Sequence, residues 1–412
     1  MAQHGIVRTY YLLAGLHTLA ASLIWSVNTL FLLDAGLTIA EVFVANAAFS
    51  FGMVVFEIPT GVVADTLGRR ISYLFSLAVL AGTTVLYLVM AMSGQGVVPF
   101  AVVSLLIGLG FTFYSGALEA WVVDELQVSG GVDLDLILAR GQQVAGAAML
   151  VGTVGGGLLG QLDLALPFVV RAGLLLALFV LSLSWMQERA FTPRPLTRRD
   201  LPRELVLQAR VGVMYGWGRP GLRPLMLTAG VRSAFLIWGF YAAQPYLLEV
   251  LERDAVWVVG VATAGLSVAT MVGNQVVHLL ARRWHHRTTA LAAGVIGLAG
   301  GALLMGGTDH FPLAVAGFLV MGFATGVTEP AHRAYVHTVT PSEHRATVLS
   351  FDSMIASSGG TVGQFGLGVL ADARSLAFGY VAGGLGTLLA LPLLWAVRRV
   401  GGPGDRFGRD IT

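Results

Sequence analysis

Carboxylates inside long apolar stretches are the side chains of this sequence best placed to do chemistry. Four of them are candidates for such chemistry: Glu57, Glu119, Glu329 and Asp352. A charged group among apolar side chains is costly unless it has a partner or takes up a proton. Each of the four is therefore a candidate for binding and releasing protons, and the alternative for each is a structural ion pair.

Two arginines share these stretches with the carboxylates. Arg333 follows Glu329 by four residues, which places both side chains on one face of a helix. Arg232 and Asp352 each lie seven residues into an apolar stretch, so the two could form a buried ion pair. For Arg232 and Asp352 the spacing favours a structural role.

Polar and aromatic side chains recur at helical spacing on the same stretches, where we expect three stripes: His17, Trp25 and Asn28; Ser115 and Glu119; and Trp238 and Tyr241. An apolar cavity with a few polar groups suits a small amphipathic ligand. We therefore expect five of these side chains to line a ligand cavity: His17, Trp25, Asn28, Trp238 and Tyr241. The alternative for each is helix packing or an aromatic belt at a membrane surface.

The composition excludes a soluble protein. Of the 412 residues, 56% are hydrophobic and 12% are charged, whereas soluble domains carry about 25% charged residues. The chain has no cysteine, which excludes disulfides and thiolate metal sites. No enzyme site, metal site or cofactor site is expected, and no basic face is left for a nucleic acid.

Long apolar segments predict an all-α membrane protein with twelve transmembrane helices, because a span needs about 20 apolar residues. The predicted spans are 8–33, 39–63, 71–93, 97–120, 137–160, 165–186, 225–250, 255–281, 287–306, 311–334, 345–371 and 374–399. The polar segment 187–224 separates the first six from the last six. We therefore predict an amino-terminal six-helix bundle at 1–186, a cytoplasmic linker at 187–224 and a carboxy-terminal bundle at 225–412.

The arginines predict the orientation of the spans. With both termini in the cytoplasm, only Arg253 and Arg374 fall in outer loops, and Arg171, Arg232 and Arg333 lie within spans. The other 20 of the 25 basic residues then lie in cytoplasmic segments. Cytoplasmic loops are enriched in arginine and lysine, so cytoplasmic termini are expected.

The two halves of the sequence repeat each other. GTVGGGLLG at 152–160 resembles GTVGQFGLG at 360–368, and LGRR at 67–70 aligns with LARR at 280–283. The offsets stay between about 208 and 214 residues. Six-helix repeats are a known transporter architecture in which the substrate site lies between the repeats.

The segment GVVADTLGRR at 61–70, between the second and third spans, resembles motif A of the major facilitator superfamily. Together with the six-plus-six spans, this resemblance covers nearly the whole chain. It implies two pseudo-symmetric bundles and a conformational gate formed by Gly61, Asp65, Gly68, Arg69, Arg70 and Asp124. Helices 4 and 10 line the substrate cavity in this family, so the resemblance also implies that Ser115, Thr325 and Arg333 line it here. Asp65 is expected to face a helix amino terminus of the other half. The arginine pair is expected to contact Asp124 or Glu125, while the two glycines would allow tight packing and a sharp turn.

The chain departs from the family's drug–proton antiporter branch at two motifs. Glu119 lies in an acidic segment where many antiporters have an arginine-containing motif, and Thr153 stands where the helix 5 motif has proline. The second copy of motif A is also degraded, with Asn274 and His278 in place of Gly61 and Asp65.

The resemblance implies a secondary transporter, because the sequence has no ATP-binding motif and its carboxylates suit proton coupling. We expect proton-coupled efflux of drugs or other amphipathic small molecules by rocker-switch alternating access. The alternatives are a proton-coupled importer, a lipid transporter or a transporter-like sensor that moves nothing. The expected partners are a small-molecule substrate, protons and the lipid bilayer of a bacterial inner membrane, and the chain is expected to be monomeric.

Overall fold

The computed structural model describes residues 2–127, 133–189, 191, 210–280 and 283–407. Within these residues the chain is helical apart from turns and one isolated β-bridge between His286 and Arg406. Half of the predicted linker at 187–224, namely residues 190 and 192–209, lies outside the described residues, as do Arg282 and the side chain of His278.

The chain divides into two compact units. Unit 1 comprises Met1–Leu37, Ala48–Arg203 and Ala255–Val261, and unit 2 comprises Thr38–Ala47, Glu204–Asp254 and Ala262–Thr412. The first eight α-helices are α1 (Ala2–Ser22), α2 (Asn28–Asp34), α3 (Ile39–Leu67), α4 (Arg69–Met92), α5 (Val97–Tyr114), α6 (Ala117–Gln127), α7 (Leu134–Leu162) and α8 (Leu166–Trp185). The beginning of α3 belongs to unit 2, and the remainder of these helices belongs to unit 1.

The later α-helices are α9 (Leu222–Leu251), α10 (Val256–Leu280), α11 (Arg287–Gly306), α12 (Phe311–Val339), α13 (Arg345–Ala373), α14 (Leu376–Thr387) and α15 (Ala390–Val400). A π-helical turn at Val213–Trp217 precedes α9, and short 3-10 turns lie at Ser342–His344 and Pro403–Asp405. All but the beginning of α10 belong to unit 2.

Ten helical segments of the described chain are long and apolar enough to cross a membrane. In their most apolar windows only 28% to 50% of the residues are buried. The outward faces are apolar as well, with exposed residues such as Phe51, Val180 and Phe365. An apolar exterior of this kind matches the hydrocarbon core of a bilayer, so the chain is a multi-pass membrane protein.

The first and eleventh predicted spans are helical but are not among these ten segments. The first is divided between α1 and α2, and the eleventh corresponds to α13, whose 29 residues include many serines, threonines and glycines. These polar and small residues lower the hydropathy of the helix. The prediction of twelve spans therefore remains a prediction for these two.

Two predicted spans are interrupted, which corrects two predicted stripes. Residues 23–27 form turns between α1 and α2, where the Trp25 nitrogen bonds to the Ser22 carbonyl in place of an α-helical contact. The other break lies between α5 and α6, where Gly116 has a φ of +71°. Because a break rotates the following helix, a stripe drawn through it at α-helical spacing does not continue.

Repeated glycines let two pairs of predicted spans pack closely. The first span packs on the fifth in unit 1, and the seventh packs on the eleventh in unit 2. A Cβ at Gly156 of α7 would lie 1.9 Å from the Leu23 carbonyl oxygen. A Cβ at Gly363 of α13 would lie 1.9 Å from the Ala234 carbonyl oxygen of α9. In membranes, small residues allow helices to approach in this way. The repeated glycine-rich segments at 152–160 and 360–368 therefore have a packing role in both units.

Candidate functional site

A network of charged side chains lies within unit 2, on α9, α12 and α13. His332 Nε2 lies 2.8 Å from Asp352 Oδ2, and both residues are buried. Arg333 Nε donates to Glu329 Oε1 at 2.7 Å, as its i,i+4 spacing predicts. Arg232 Nη2 lies 3.9 Å from Glu329 Oε2. The network thus comprises three acid–base contacts, with His332, Asp352 and Arg232 buried and Arg333 exposed.

The predicted ion pair between Arg232 and Asp352 is wrong in its partners. Asp352 is bonded to His332, and the acidic group in contact with Arg232 is Glu329. His332 was not among the predicted site residues. It lies three residues after Glu329 and so projects from nearly the same face of α12, and this spacing could have identified it as a site residue.

A small cavity within unit 2 adjoins this network. It has an empty volume of about 210 Å³, including its opening. The residues that line it are Arg232, Leu236, Gly294, Leu298, Ala324, Thr325 and Thr328. Of the predicted cavity residues, Thr325 lines this space.

A second buried polar cluster lies in unit 1, around His17 of α1. The His17 ring stacks on the Tyr114 ring with a centroid distance of 3.7 Å, and the Tyr73 ring lies 5.8 Å away. His17 is 1% exposed, and neither ring nitrogen has a hydrogen-bond partner among the described residues. Its environment is therefore aromatic packing, which is the structural alternative to lining a cavity.

The two candidate carboxylates of unit 1 differ in their exposure. Glu57 of α3 is half-buried, and no ion pair is found for it within the described chain. Glu119 of α6 is exposed and accepts a hydrogen bond from Gln142 Nε2 at 2.8 Å. Exposed Ser115 lies in the break before α6, so the predicted face through Ser115 and Glu119 is not continuous.

The remaining predicted cavity residues occupy different environments. Trp238 is fully buried in an aromatic cluster of unit 2, with ring centroids 5.6 Å from Phe43 and 5.2 Å from Tyr380. Tyr241 is half-buried on the same helix. Trp25 is half-buried in the α1–α2 break and Asn28 is buried at the start of α2, so the break separates both from the His17 stripe. The exposed Arg333 side chain contacts Glu329.

The motif A segment forms the junction between α3 and α4. Arg69 Nη1 pairs with Asp65 Oδ1 at 2.7 Å, and Arg70 Nη2 donates to the Leu183 carbonyl at 2.6 Å. Gly68 has a φ of +110°, which permits the sharp turn. A Cβ added at Gly61 would meet no atom of the described chain within 4 Å, so the packing role predicted for Gly61 is not seen.

The predicted acidic partners of motif A contact other groups. Glu125 accepts from the Arg189 backbone nitrogen at 2.6 Å, and the structure shows no ion pair of Asp124 with the motif arginines within its described residues. Glu188, which follows α8, instead accepts from the Arg69 backbone nitrogen at 2.6 Å. Burial raises the pKa of Glu188, against the lowering effect of the Arg69 and Arg70 backbone N–H groups.

These arrangements suit proton binding and charge recognition. A histidine hydrogen-bonded to a carboxylate can hold a proton between two titratable groups. The described residues contain no group of three or more His, Asp or Glu side chains that could hold a metal ion.

Comparisons with solved structures identify the fold. The chain resembles the nucleoside transporter NupG with a TM-score of 0.79 and 12% identity, covering 96% of this chain and 99% of that one. It resembles a mutant form of the peptide transporter POT with a TM-score of 0.75 and 14% identity, covering 96% and 94%. The human organic anion transporter MFSD10 (TETRAN) gives a TM-score of 0.64 and 18% identity, covering 96% and 100%.

Comparisons of sequence identify the family. No curated protein sequence matches the chain. A profile described as Major Facilitator Superfamily matches residues 10–363 and 254–409, which together span most of the chain. The fold, the apolar helices and the family profile agree, and the chain belongs to the Major Facilitator Superfamily.

Proposed function

We propose that this protein is a proton-coupled secondary transporter in which the His332–Asp352 pair carries the proton. The observation that supports the proposal is the 2.8 Å contact between these two side chains, both buried within unit 2. A proton bound here would change the charge of a region that contains Arg232 and Glu329. Proton binding could therefore alter the affinity for a solute in the neighbouring cavity.

The proposal includes the arrangement predicted from the sequence. The chain would cross a bacterial inner membrane twelve times, with both termini in the cytoplasm, and would work as a monomer by rocker-switch alternating access. The domains would be 1–186, 187–224 and 225–412. Glu57, Glu119 and Glu329 remain candidate proton carriers, although Glu329 contacts two arginines and Glu119 is exposed.

Export of drugs or other amphipathic molecules in exchange for protons is one form of this function. It is the form expected from the sequence, although two motifs of the antiporter branch are altered at Glu119 and Thr153. Co-transport of a proton with an anionic solute is the second form, and the charges of the unit 2 network favour it. Arg232 and Arg333 balance Glu329 and Asp352 when His332 is neutral, so a proton on His332 leaves an excess positive charge that an anion would compensate.

Transport in reconstituted liposomes distinguishes the two directions. Ethidium serves as a cationic aromatic probe and carboxyfluorescein as an anionic one. An imposed pH gradient should drive movement of a transported dye by the wild-type protein. Exchange predicts dye movement against the proton flow, whereas co-transport predicts dye movement with it.

The His332→Gln variant tests the proton site. It should lose gradient-driven dye movement but keep exchange of dye across the membrane without a gradient, because exchange requires no net proton movement. His286→Gln is a matched control, because His286 Nδ1 lies 2.9 Å from Asp405 Oδ2 in a similar pair outside the charged network. Equal gradient-driven rates in the wild type and His332→Gln would refute the proposed proton site.

A further inference from the structure

We propose that the cavity beside Arg232 binds the carboxylate group of an amphipathic organic anion. The inference names a substrate class for the proposed transporter and so rests on that proposed function. It assigns Arg232 as the residue that recognises the solute, a role distinct from the structural ion pair expected from the sequence.

The first argument is the hydrogen bonding of Arg232. Its side chain is 10% exposed, yet Nη1 has no hydrogen-bond partner among the described residues. The distance from Nη2 to Glu329 Oε2 is 3.9 Å, which is too long for a hydrogen bond. A guanidinium presents several N–H donors in a planar fork that matches a carboxylate, so this buried cation has unused donors.

The second argument is that the nearby carboxylates already have closer partners. Glu329 Oε1 accepts from Arg333 Nε at 2.7 Å. Asp352 Oδ2 lies 2.8 Å from His332 Nε2. Each acid therefore has a basic partner within hydrogen-bond distance. For Arg232, by contrast, the described residues place no acidic oxygen within that distance.

The third argument is the chemistry of the cavity wall. Leu236, Leu298 and Ala324 make it largely apolar. The Thr325 hydroxyl donates to the Met321 carbonyl at 2.8 Å, and the Thr328 hydroxyl donates to the Thr325 carbonyl at 2.9 Å. Both hydroxyl protons are thus used within α12. Among the described lining residues the guanidinium is the side-chain group with donors to offer, which favours an acceptor such as a carboxylate.

The size of the cavity indicates which part of the solute it holds. The cavity is small, because its empty volume of about 210 Å³ already includes the open solvent at its mouth. The cavity would therefore take the charged end of a solute, with apolar atoms against the leucines. The negative charge of Glu329 would repel an anion in the cavity, but the contact of Glu329 with Arg333 offsets that charge.

The absence of cysteine from the sequence gives a direct test. Thr325→Cys places a single thiol in the cavity wall of the full-length protein. Its reaction rate is measured with two methanethiosulfonates, the anionic sulfonatoethyl and the cationic trimethylammonioethyl reagent. The anionic reagent should react faster by about tenfold after correction for intrinsic reactivity, because opposite charges a few ångströms apart attract by more than RT even at a high effective dielectric constant.

Two further variants assign the preference to Arg232. Arg232→Gln in the T325C background should bring the corrected rate ratio to about one, and Arg232→Lys should keep a preference for the anionic reagent. A Ser184→Cys thiol at the exposed end of α8 is the control, because its ratio should not respond to Arg232→Gln. If Arg232→Gln does not fold, the ratio in the T325C protein alone still decides between an anionic and a cationic preference.

A protection experiment tests the carboxylate. Benzoate should slow modification of the T325C thiol, whereas benzamide at the same concentration should not. An equal or cationic preference, a ratio unchanged by Arg232→Gln, a thiol that neither reagent reaches or an absence of benzoate protection would each overturn the inference. The labelling uses no proton gradient, so a failure of proton coupling at His332 would leave its result unchanged.

Discussion

Glu188 Oε1 lies 2.6 Å from the backbone nitrogen of Arg69, so a residue that follows α8 caps the amino end of α4. In unit 2, Asp405 follows α15 and its Oδ1 accepts from the Thr288 backbone nitrogen of α11 at 2.8 Å. The first N–H groups of a helix have no partners within it. An acidic side chain thus caps the third predicted span in one repeat and the ninth in the other. The two capping residues, Glu188 and Asp405, are 217 residues apart.

The turn at Gly68 should be intolerant of a side chain. Gly68 has φ +110° and ψ 155°, a backbone region that is essentially restricted to glycine, and an added Cβ would lie 2.4 Å from Glu188 Oε2. Gly68→Ala should therefore lower the free energy of unfolding by about 1–3 kcal/mol. Thermal unfolding in detergent measures the loss. Gly61→Ala is the control and should be neutral or stabilising, because it lies within α3 with open space around it.

The Glu188 carboxyl should make stability depend on acidic pH. Burial raises its pKa above the ordinary value of about 4.3. A carboxyl group whose pKa is higher in the folded state than in the unfolded state stabilises the fold when it is protonated. This stabilisation is fully present below the unfolded-state pKa and is lost as the pH rises through the folded-state pKa. Wild-type protein should therefore lose thermal stability relative to Glu188→Gln as the pH rises from about 4 through the raised folded-state pKa.

Glu343→Gln serves as the control for this measurement, because Glu343 is an exposed carboxylate of the Ser342–His344 turn. It should show no such trend. A wild-type protein that gains stability relative to Glu188→Gln as pH rises would show that the two backbone hydrogen bonds outweigh burial.

Close packing of α7 on the turn that follows α1 should be sensitive to a single methyl group. Gly156→Ala would place a Cβ 1.9 Å from the Leu23 carbonyl oxygen, so α7 and this turn must separate. Overpacking of this kind costs about 1–3 kcal/mol. Gly155→Ala is a neighbouring control with no contact within 4 Å. Thermal unfolding temperatures should fall for Gly156→Ala and not for Gly155→Ala, and equal values would contradict the packing role.

Much of the fold follows from the sequence because hydrophobicity and charge act locally. The predicted 39–63 and 287–306 spans correspond closely to α3 and α11. The break at 23–27 was not predicted, since it accompanies a long-range hydrogen bond from Ser26 Oγ to the Thr153 carbonyl at 2.9 Å. The partner of Asp352 was also missed, because it depends on how α12 packs beside α13.

A comparison of Glu57 with Asp352 tests where the proton binds. Asp352 shares a hydrogen bond with His332, so a proton can be held between two groups in unit 2. Glu57 is half-buried in unit 1, and the described residues provide it with no ion pair.

We expect Asp352→Asn to abolish pH-gradient-driven dye movement in liposomes, because asparagine cannot take up a proton and its introduction removes the charge that stabilises protonated His332. Glu57→Gln should retain at least part of that movement, and both variants should retain exchange without a gradient. Complete loss of the gradient-driven movement in Glu57→Gln, with wild-type rates in Asp352→Asn, would place the proton carrier in unit 1 and return Glu57 to the role that its sequence position predicted.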